Sequence, residues 1–441
     1  MGLTGTQPSV SPVTHRAVRR SVLPGGLRVV TEYLPGVRSA SVGLWVAVGS
    51  RDEKPSVAGA AHFLEHLLFK STPTRTAANT AEQIDAIGGE LNAFTGKEQT
   101  CYYAHVLDEH MATAVDIVAD VVLRGECRTE DVGIERAVVL EEIAMRDDDP
   151  EDLLADLFMT AMYGNHPLGR PVIGSSESIT SMTRSQVRSF HQRRYTPDKM
   201  VLSVAGNIDH AEVLAVARKT FAGHLDKSAK PAPIRLGAKA IGGRPTLEVS
   251  YRDTEQAHLL LGVRGPGRGS SDRWALSVLN TALGGGLSSR LFQEIRESRG
   301  LAYSVYSSVD SFADVGAFSV YAGCSPDHLA EVTSVITGIL TEVADNGITS
   351  EELARAKGSL RGAMVLGLED SQSRMHRNGR GEINYGKRMT VDETLRKIDR
   401  VSAADTTRVA RELLGHPFGA AVVGPYRSHR QLPKSLTSLV H

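Results

Sequence analysis

The sequence predicts an α+β protein built from two homologous halves, each a mixed, mostly antiparallel sheet with helices packed on one side. Three observations lead to this prediction. Residues 23–222 and 246–425 show the same order of strand-like and helix-like segments. A stretch rich in proline, glycine and lysine separates them. The length of 441 residues also exceeds what one hydrophobic core usually holds.

These patterns divide the chain into four parts. Residues 1–22 lack the apolar core of a secretory signal, and we expect them to form a flexible tail. Residues 23–225 and 246–441 are the two predicted halves. Residues 226–245, with three prolines and three glycines, are the predicted linker.

The most informative segment of the first half runs from Ala61 to Phe69. Two histidines, His62 and His66, stand four positions apart, and Glu65 lies immediately before the second. If the segment is helical, both imidazoles leave the same face and can bind one metal ion, with a carboxylate beside it. That arrangement is typical of a zinc peptidase. The alternative is that both histidines are packed or surface residues of an amphipathic helix.

A catalytic zinc ion usually takes three protein ligands, so a further ligand is needed. The acidic segment 130–143 predicts a helix that offers candidates. Glu135 and Glu142 lie seven positions apart and share a helix face, whereas Glu141 points about 100° away from Glu142. This geometry favours Glu142 as the ligand, with Glu135 beside it. A solvated acidic helix face is the alternative.

With these residues the chain resembles the pitrilysin-type inverzincin metallopeptidases, in particular the two-domain branch that includes mitochondrial processing peptidase and its bacterial relatives. The resemblance extends from Leu23 to Gly424. It implies the metallohydrolase fold of that family and one Zn²⁺ per chain. It also implies the roles of the residues named above: His62, His66 and Glu142 as ligands, Glu65 as general base and Glu135 as a supporting group.

A predicted strand of the first half resembles the strand that lines the cleft of the same family. It runs from Gly88 to Thr95, and backbone groups around Asn92, Ala93 and Phe94 are expected to pair with an extended substrate. An ordinary half-buried core strand is the alternative.

Two residues of the second half, Arg296 and Tyr303, match a family pair that reaches toward the catalytic half. Arginine can hold a substrate carbonyl or carboxylate, and a phenol can donate a hydrogen bond to a developing oxyanion. The alternative is a surface arginine and a core tyrosine. Where the first half has its metal motif, the second has Leu279 to Gly286, which contains no metal ligand.

Composition excludes several classes of partner. The net charge of −1 argues against a nucleic acid or an anionic membrane surface as the main partner. No segment approaches the roughly 18 apolar residues needed to cross a bilayer. The three cysteines, Cys101, Cys127 and Cys324, are too far apart for Cys-x-x-Cys metal spacing and indicate a reducing compartment. We therefore expect a cytoplasmic protein that binds neither nucleic acid nor membrane.

The predicted function is zinc-dependent endopeptidase activity. The resemblance implies that two such units enclose a chamber that admits unfolded peptides or presequence-like segments. Because this chain supplies one unit, we expect a homodimer, with Arg296 and Tyr303 acting in their own subunit or in the partner subunit. The alternative is a non-catalytic scaffold of the same fold, or a regulatory subunit of a heterodimer.

Overall fold

The computed structural model describes residues 18–237 and 241–440, and these contain two sheets. The strands of the first sheet are β1 (Val18–Val22), β2 (Arg28–Tyr33), β3 (Ser39–Val46), β4 (Glu90–Thr95), β5 (Thr100–Leu107) and β6 (Met200–Gly206). The strands of the second sheet are β7 (Leu247–Tyr251), β8 (Ala257–Pro266), β9 (Ala302–Ser311), β10 (Val315–Cys324) and β11 (Phe418–Gly424).

The two sheets share one topology. The first has the strand order β1-β2-β6-β3-β5-β4, and the second has the order β7-β11-β8-β10-β9. In each sheet one neighbouring pair is parallel, β2 with β6 and β7 with β11, and every other pair is antiparallel. The prediction of two homologous, mostly antiparallel halves is therefore confirmed.

Helices connect and cover the strands. Those within the first predicted half are α1 (Ala60–Leu68), α2 (Ala77–Ala86), α3 (Met111–Arg124), α4 (Thr129–Asp148), α5 (Pro150–Tyr163), α6 (Ser176–Ser181), α7 (Arg184–Arg194) and α8 (His210–Thr220). Those within the second are α9 (Arg273–Gly284), α10 (Leu329–Asn346), α11 (Ser350–Leu366), α12 (Ser371–Tyr385), α13 (Val391–Asp399), α14 (Ala403–Leu414) and α15 (Lys434–Thr437). A π-helical segment spans Phe292–Ser298.

The prediction that helices cover one side of each sheet is wrong, because both faces are covered. In the first sheet Val29 and Leu44 face the core that contains α1 and α3, whereas Val30 and Trp45 face Met375 of α12. Successive strand residues point to opposite faces, so a strand that is apolar at both sets of positions needs cover on both sides.

The second cover of each sheet comes from the other half of the sequence. Helix α12 lies on the first sheet, and α5 lies on the second, where Phe158 and Met162 pack with Tyr321 and Val423. Glycine permits the close approach of α12, since a Cβ at Gly379 would overlap the indole of Trp45. Each half therefore completes the hydrophobic core of the other.

The predicted tail needs a correction at its end. Residues 18–22 form β1, which pairs antiparallel with β2 from Val18 opposite Glu32 to Val22 opposite Arg28. Backbone groups at the edge of a sheet bind an adjacent extended segment whatever its side chains are, so the polar sequence gave no sign of this strand. Residues 1–17 lie outside the described part of the chain.

The described residues of the predicted linker, 226–237 and 241–245, contain neither helix nor strand. Arg235 ties the linker to the first half, because its Nη2 lies 2.7 Å from a carboxylate oxygen of Asp52. Nowhere in residues 18–237 and 241–440 is a helix both long and apolar enough to cross a membrane.

Candidate metal centre

Helix α1 has a buried apolar face and a polar face that carries His62, Glu65 and His66. The predicted helix over residues 61–69 is confirmed as α1, whose Phe63, Leu64 and Leu67 are fully buried in the first core. The helix begins after Gly59, where φ is 88°. The buried carboxylate of Glu53 accepts hydrogen bonds from the backbone N–H groups of Gly59 at 2.8 Å and Ala61 at 2.7 Å.

His62 and His66 leave α1 on the side where α4 packs against it. The predicted acidic helix is confirmed as α4, and its Glu142 approaches both imidazoles. Glu142 Oε2 lies 3.6 Å from His62 Nε2 and 3.4 Å from His66 Nε2. Within the described residues, these three side chains are the one group of His, Cys, Asp and Glu donors that could hold a metal ion, with donor atoms all within 4.8 Å of one another.

The donor geometry fits zinc. A tetrahedral ion with ligands at about 2.0–2.1 Å places neighbouring donor atoms about 3.3 Å apart, close to the two measured distances. Two imidazole nitrogens and a carboxylate oxygen are also a ligand set found in catalytic zinc sites. The side chains of His62, His66 and Glu142 are 19%, 18% and 33% exposed, so the centre is accessible from one side.

Glu135 contacts Nδ1 of His66, the ring nitrogen that does not face Glu142. Its side chain is buried, and its Oε2 lies 3.1 Å from His66 Nδ1 while Oε1 lies 2.5 Å from Lys70 Nζ. A carboxylate that accepts the Nδ1–H of a histidine leaves the lone pair on Nε2, which is the nitrogen that faces Glu142. Glu135 therefore holds the His66 ring in place while Lys70 balances the charge of the Glu135 carboxylate.

The surroundings of His62 favour its neutral form. Burial, with a smaller contribution from the nearby His66, lowers the pKa of His62 to about 4. A histidine must be uncharged to bind a metal, so this shift favours the competent form at neutral pH.

Glu65 lies one residue before His66 and faces the edge of the first sheet. The hydroxyl of Thr95, at the end of β4, donates a hydrogen bond to Glu65 Oε2. Burial raises the pKa of Glu65, and the negative charge of Glu142 raises it further. A carboxylate whose pKa moves toward neutrality is suited to accept a proton and to release it again.

The predicted substrate strand is an edge strand. Within the described residues β4 pairs with β5 alone, so Asn92, Ala93 and Phe94 have one edge of their backbone open. Asn92 is exposed, and Ala93 and Phe94 are half-buried. An open edge can bind an extended peptide through backbone hydrogen bonds. Thr95 joins this edge directly to Glu65.

Arg296 and Tyr303 are not brought to the metal donors of their own chain. The Arg296 guanidinium lies 4.6 Å from the ring centroid of Tyr303, which is on the edge strand β9 and 77% exposed. In the part of the chain that the structure describes, the ion pair of Arg296 is with its neighbour Glu297, at 3.6 Å. The two residues thus form a pair on the second half in which Tyr303 is exposed and Arg296 is half-buried.

Sequence reasoning missed three contributors to the site, Glu53, Lys70 and Thr95. Lys70 stands four positions after His66, so helical spacing could have placed it one turn beyond the second histidine. Thr95 closes a strand that had been singled out, but its partner comes from a distant helix. No local pattern marks Glu53 as the residue that holds the start of α1.

Comparison with known proteins places the chain in a family. Residues 28–176 match the model of "Insulinase (Peptidase family M16)", and residues 181–360 match that of "Peptidase M16 inactive domain". A Mycobacterium tuberculosis protein named "Uncharacterized zinc protease" is 60% identical over 429 residues, which cover 97% of this chain and 98% of that one. A Bacillus subtilis protein named in the same way is 40% identical, covering 92% and 98%.

Solved structures share the fold. A protease from Helicobacter pylori superposes with a TM-score of 0.84 at 26% identity, covering 93% of this chain and 100% of that one. A structure from Pseudomonas fluorescens described as a peptidase M16 inactive domain gives 0.84 at 21% identity, covering 95% and 99%, and is similar in fold. Both halves are therefore those of a two-domain peptidase fold. The chain belongs to peptidase family M16, which confirms the resemblance predicted from the sequence.

Proposed function

We propose that the protein is a zinc-dependent endopeptidase, with one Zn²⁺ per chain held by His62, His66 and Glu142. The observation that carries the proposal is the convergence of these three donors beside Glu65 and the open edge of β4. The relatives are named zinc proteases, which supports the same metal and the same reaction.

The residues of the chain divide the work of peptide hydrolysis. His62, His66 and Glu142 would hold the Zn²⁺ ion, which would supply Lewis acidity to the reaction. Glu65 accepts the proton of the attacking water and delivers it to the leaving amine nitrogen. Thr95 holds Glu65 Oε2 and leaves Oε1 for this transfer. The edge of β4 around Asn92, Ala93 and Phe94 aligns the peptide backbone.

We further propose a cytoplasmic homodimer that encloses unfolded peptides in a chamber. Tyr303 is exposed and Arg296 half-buried, and in the described part of the chain neither contacts His62, His66 or Glu142, which supports their acting on the site of a second copy. There Arg296 holds a peptide carboxylate or carbonyl, and the Tyr303 phenol donates to the carbonyl oxygen as negative charge develops. All three cysteines are buried and unpaired, in keeping with a reducing compartment.

The test is cleavage of a mixture of unstructured peptides by the purified chain, with bound metal measured in parallel. Glu65→Gln should keep its zinc and lose about 10²- to 10⁴-fold in kcat/KM, the usual contribution of a general base. Glu141→Gln, an exposed residue of α4, is the matched control and should cleave normally. Chelation should abolish cleavage, and added zinc should restore it.

Two results would contradict the proposal. Loss of zinc from Glu65→Gln would make Glu65 a ligand and leave the reaction without its base. Absence of cleavage by a fully zinc-loaded dimer would favour the non-catalytic scaffold.

A further inference from the structure

A large cavity opens between the two halves of the molecule. It has a volume of about 800 Å³ and is lined by residues of α9, α11 and α12. Phe94 of β4 and Val309 of β9 also line it, so it touches an edge strand of each sheet. Ligand cavities of proteins commonly fall in this range of volume and often lie between domains.

The lining is strongly basic. It includes the side chains of Arg273, Arg377, Arg380, Lys387 and Arg388, and it includes no aspartate or glutamate. In the described part of the chain, the ion pairs of the buried carboxylates nearby, Glu32 and Glu382, are with other arginines and not with these five cations. Arg273, Arg377 and Arg388 are partly buried, where a cation is usually paired, whereas Arg380 and Lys387 are exposed.

The nearest acidic groups are engaged elsewhere. Glu32 binds Arg374 at 2.7 Å and the amide of Asn378 at 2.7 Å. Glu382 binds Arg20 at 3.0 Å. Burial lowers the pKa of Arg377 and of Arg388, and the carboxylates of Glu32 and, at Arg388, of Glu382 and Glu393 offset part of this effect.

Two of the arginines are fixed in place before any ligand arrives. The Arg273 guanidinium lies 4.5 Å from the ring centroid of Trp274 and 4.8 Å from that of Tyr385, and its Nη1 donates to the Arg268 carbonyl at 2.7 Å. Arg377 Nη2 donates to the Met389 carbonyl at 3.1 Å. A held guanidinium loses little side-chain entropy when it binds a carboxylate, and its planar fork suits that group.

One residue of the proposed peptide strand, Phe94, lines the cavity, and its side chain lies on the α12 face of the first sheet, opposite to Thr95. Phe94 directly precedes Thr95, whose hydroxyl binds the Glu65 carboxylate. Side chains of an extended peptide alternate between the two faces of a sheet, so a peptide paired with the β4 edge presents every second side chain to the side on which the cavity lies.

We propose that this cavity binds carboxylate groups of the peptide substrate, so that the protein selects acidic peptides over basic, presequence-like ones. The inference rests on the proposed function for its substrate. The carboxylates come from aspartate and glutamate side chains or from the peptide C-terminus, and the same chemistry recognises both. Presequences are rich in arginine and poor in acidic residues, so the five cations repel them.

Binding is measured first, with the Glu65→Gln protein and labelled peptides of one length. The peptides differ in carrying glutamates, alanines or lysines beside a common neutral core, each with a free or an amidated C-terminus. The glutamate peptide should bind at least about tenfold more tightly than the lysine peptide, and added salt should reduce the difference. The free and amidated pairs separate the two sources of carboxylate.

Reversing the charge of two cavity residues tests whether the cavity causes the preference for glutamate peptides. Arg380 and Lys387 are exposed, so a protein with both Arg380→Glu and Lys387→Glu is expected to fold, and it should prefer the lysine peptide. Lys219→Glu, an exposed site on α8, is the matched control and should keep the preference for glutamate. Each single change, Arg380→Gln or Lys387→Gln, should reduce the preference for the glutamate peptide. The two single variants are tested instead if the double variant does not fold.

The outcomes separate this inference from the proposed function. Equal binding of glutamate and lysine peptides, or a preference that survives charge reversal, would overturn it. Preferred cleavage of the glutamate peptide by the unaltered chain would support both proposals. A preference in binding without cleavage of any peptide would keep the acidic site and reject the peptidase.

Discussion

The two halves of the chain use one framework for different purposes. In the first, α1 packs against α4, and the contact carries His62, His66 and Glu142. In the second, α9 packs against α11 in the equivalent place, where Arg290 donates to Glu352 at 2.8 and 2.6 Å. A cavity of only about 40 Å³ remains there. The fold thus accommodates three donors suited to a metal ion at one helix pair and, at the other, a salt bridge from Arg290, which follows α9, to Glu352 of α11.

The strongest test of this difference is Glu142→Gln in the first half. It should weaken zinc binding by more than about hundredfold, because loss of a direct ligand exceeds the usual 10- to 100-fold cost of losing an outer partner. Glu141→Gln, next to it but on an exposed face, should leave zinc affinity unchanged. Competition with a chelator measures both. Equal zinc affinities in the two variants would remove α4 from the metal centre.

In the second half the corresponding change is Arg290→Met. Its side chain and that of Glu352 are 14% and 12% exposed, so the change leaves a mostly buried carboxylate unpaired and should cost about 3 kcal/mol of unfolding free energy. Zinc content should not change. Arg361→Met breaks the exposed pair with Asp399 and should cost less than about 1 kcal/mol. Denaturant unfolding measures both. A loss of zinc in Arg290→Met would mean that the second half also shapes the metal centre.

A smaller effect is expected at the support of the metal centre. Glu135→Gln keeps the shape of the side chain but removes the charge that faces His66 Nδ1 and Lys70. Zinc affinity should fall by about 10- to 100-fold, as is usual for such partners. Glu130→Gln, exposed in the first turn of α4, serves as the control. If the two variants bind zinc equally, Glu135 does not orient His66.

The last prediction concerns how the two equivalent helices begin, and its effect within any one pH unit is small. Asp272, before α9, pairs with Arg408 near the surface, whereas Glu53 is buried at the start of α1. Burial raises the pKa of Glu53 from 4.5 to about 8. Between these values the folded protein holds a proton that the unfolded chain has released, so stability falls as pH rises.

This contribution of Glu53 should amount to at most about 1.4 kcal/mol per pH unit. Denaturant unfolding at a series of pH values measures it. In Glu53→Gln the fall in stability across this pH range should be shallower. An unchanged slope in that variant would show that Glu53 is already ionised in the fold.

Much of the metal centre followed from helical spacing. Positions four apart and seven apart share a face of any helix, so the sequence placed His62 with His66 and Glu142 with Glu135. Which helix faces which is not a local property. The distance between Glu142 and the histidines depends on how α1 and α4 pack in the common core.

The exchange of α5 and α12 between the halves could not be predicted in the same way. Their apolar faces show that they are buried, but an apolar face does not specify which sheet it covers. Only the assembled structure shows that both faces of each sheet are covered and that α12 packs against Trp45.

The sequence by itself determined the α+β class, the repetition of one unit and the donor types of the metal centre, because periodicity and residue chemistry are local. The tertiary structure decided what depends on distant segments meeting. It brought Thr95 into hydrogen-bonding contact with Glu65 and added β1 to the first sheet. It also placed Arg273 in one cavity with Arg377, Arg380, Lys387 and Arg388, which lie about a hundred positions later in the sequence. Such contacts depend on the packing of whole elements, which no single segment of the chain encodes.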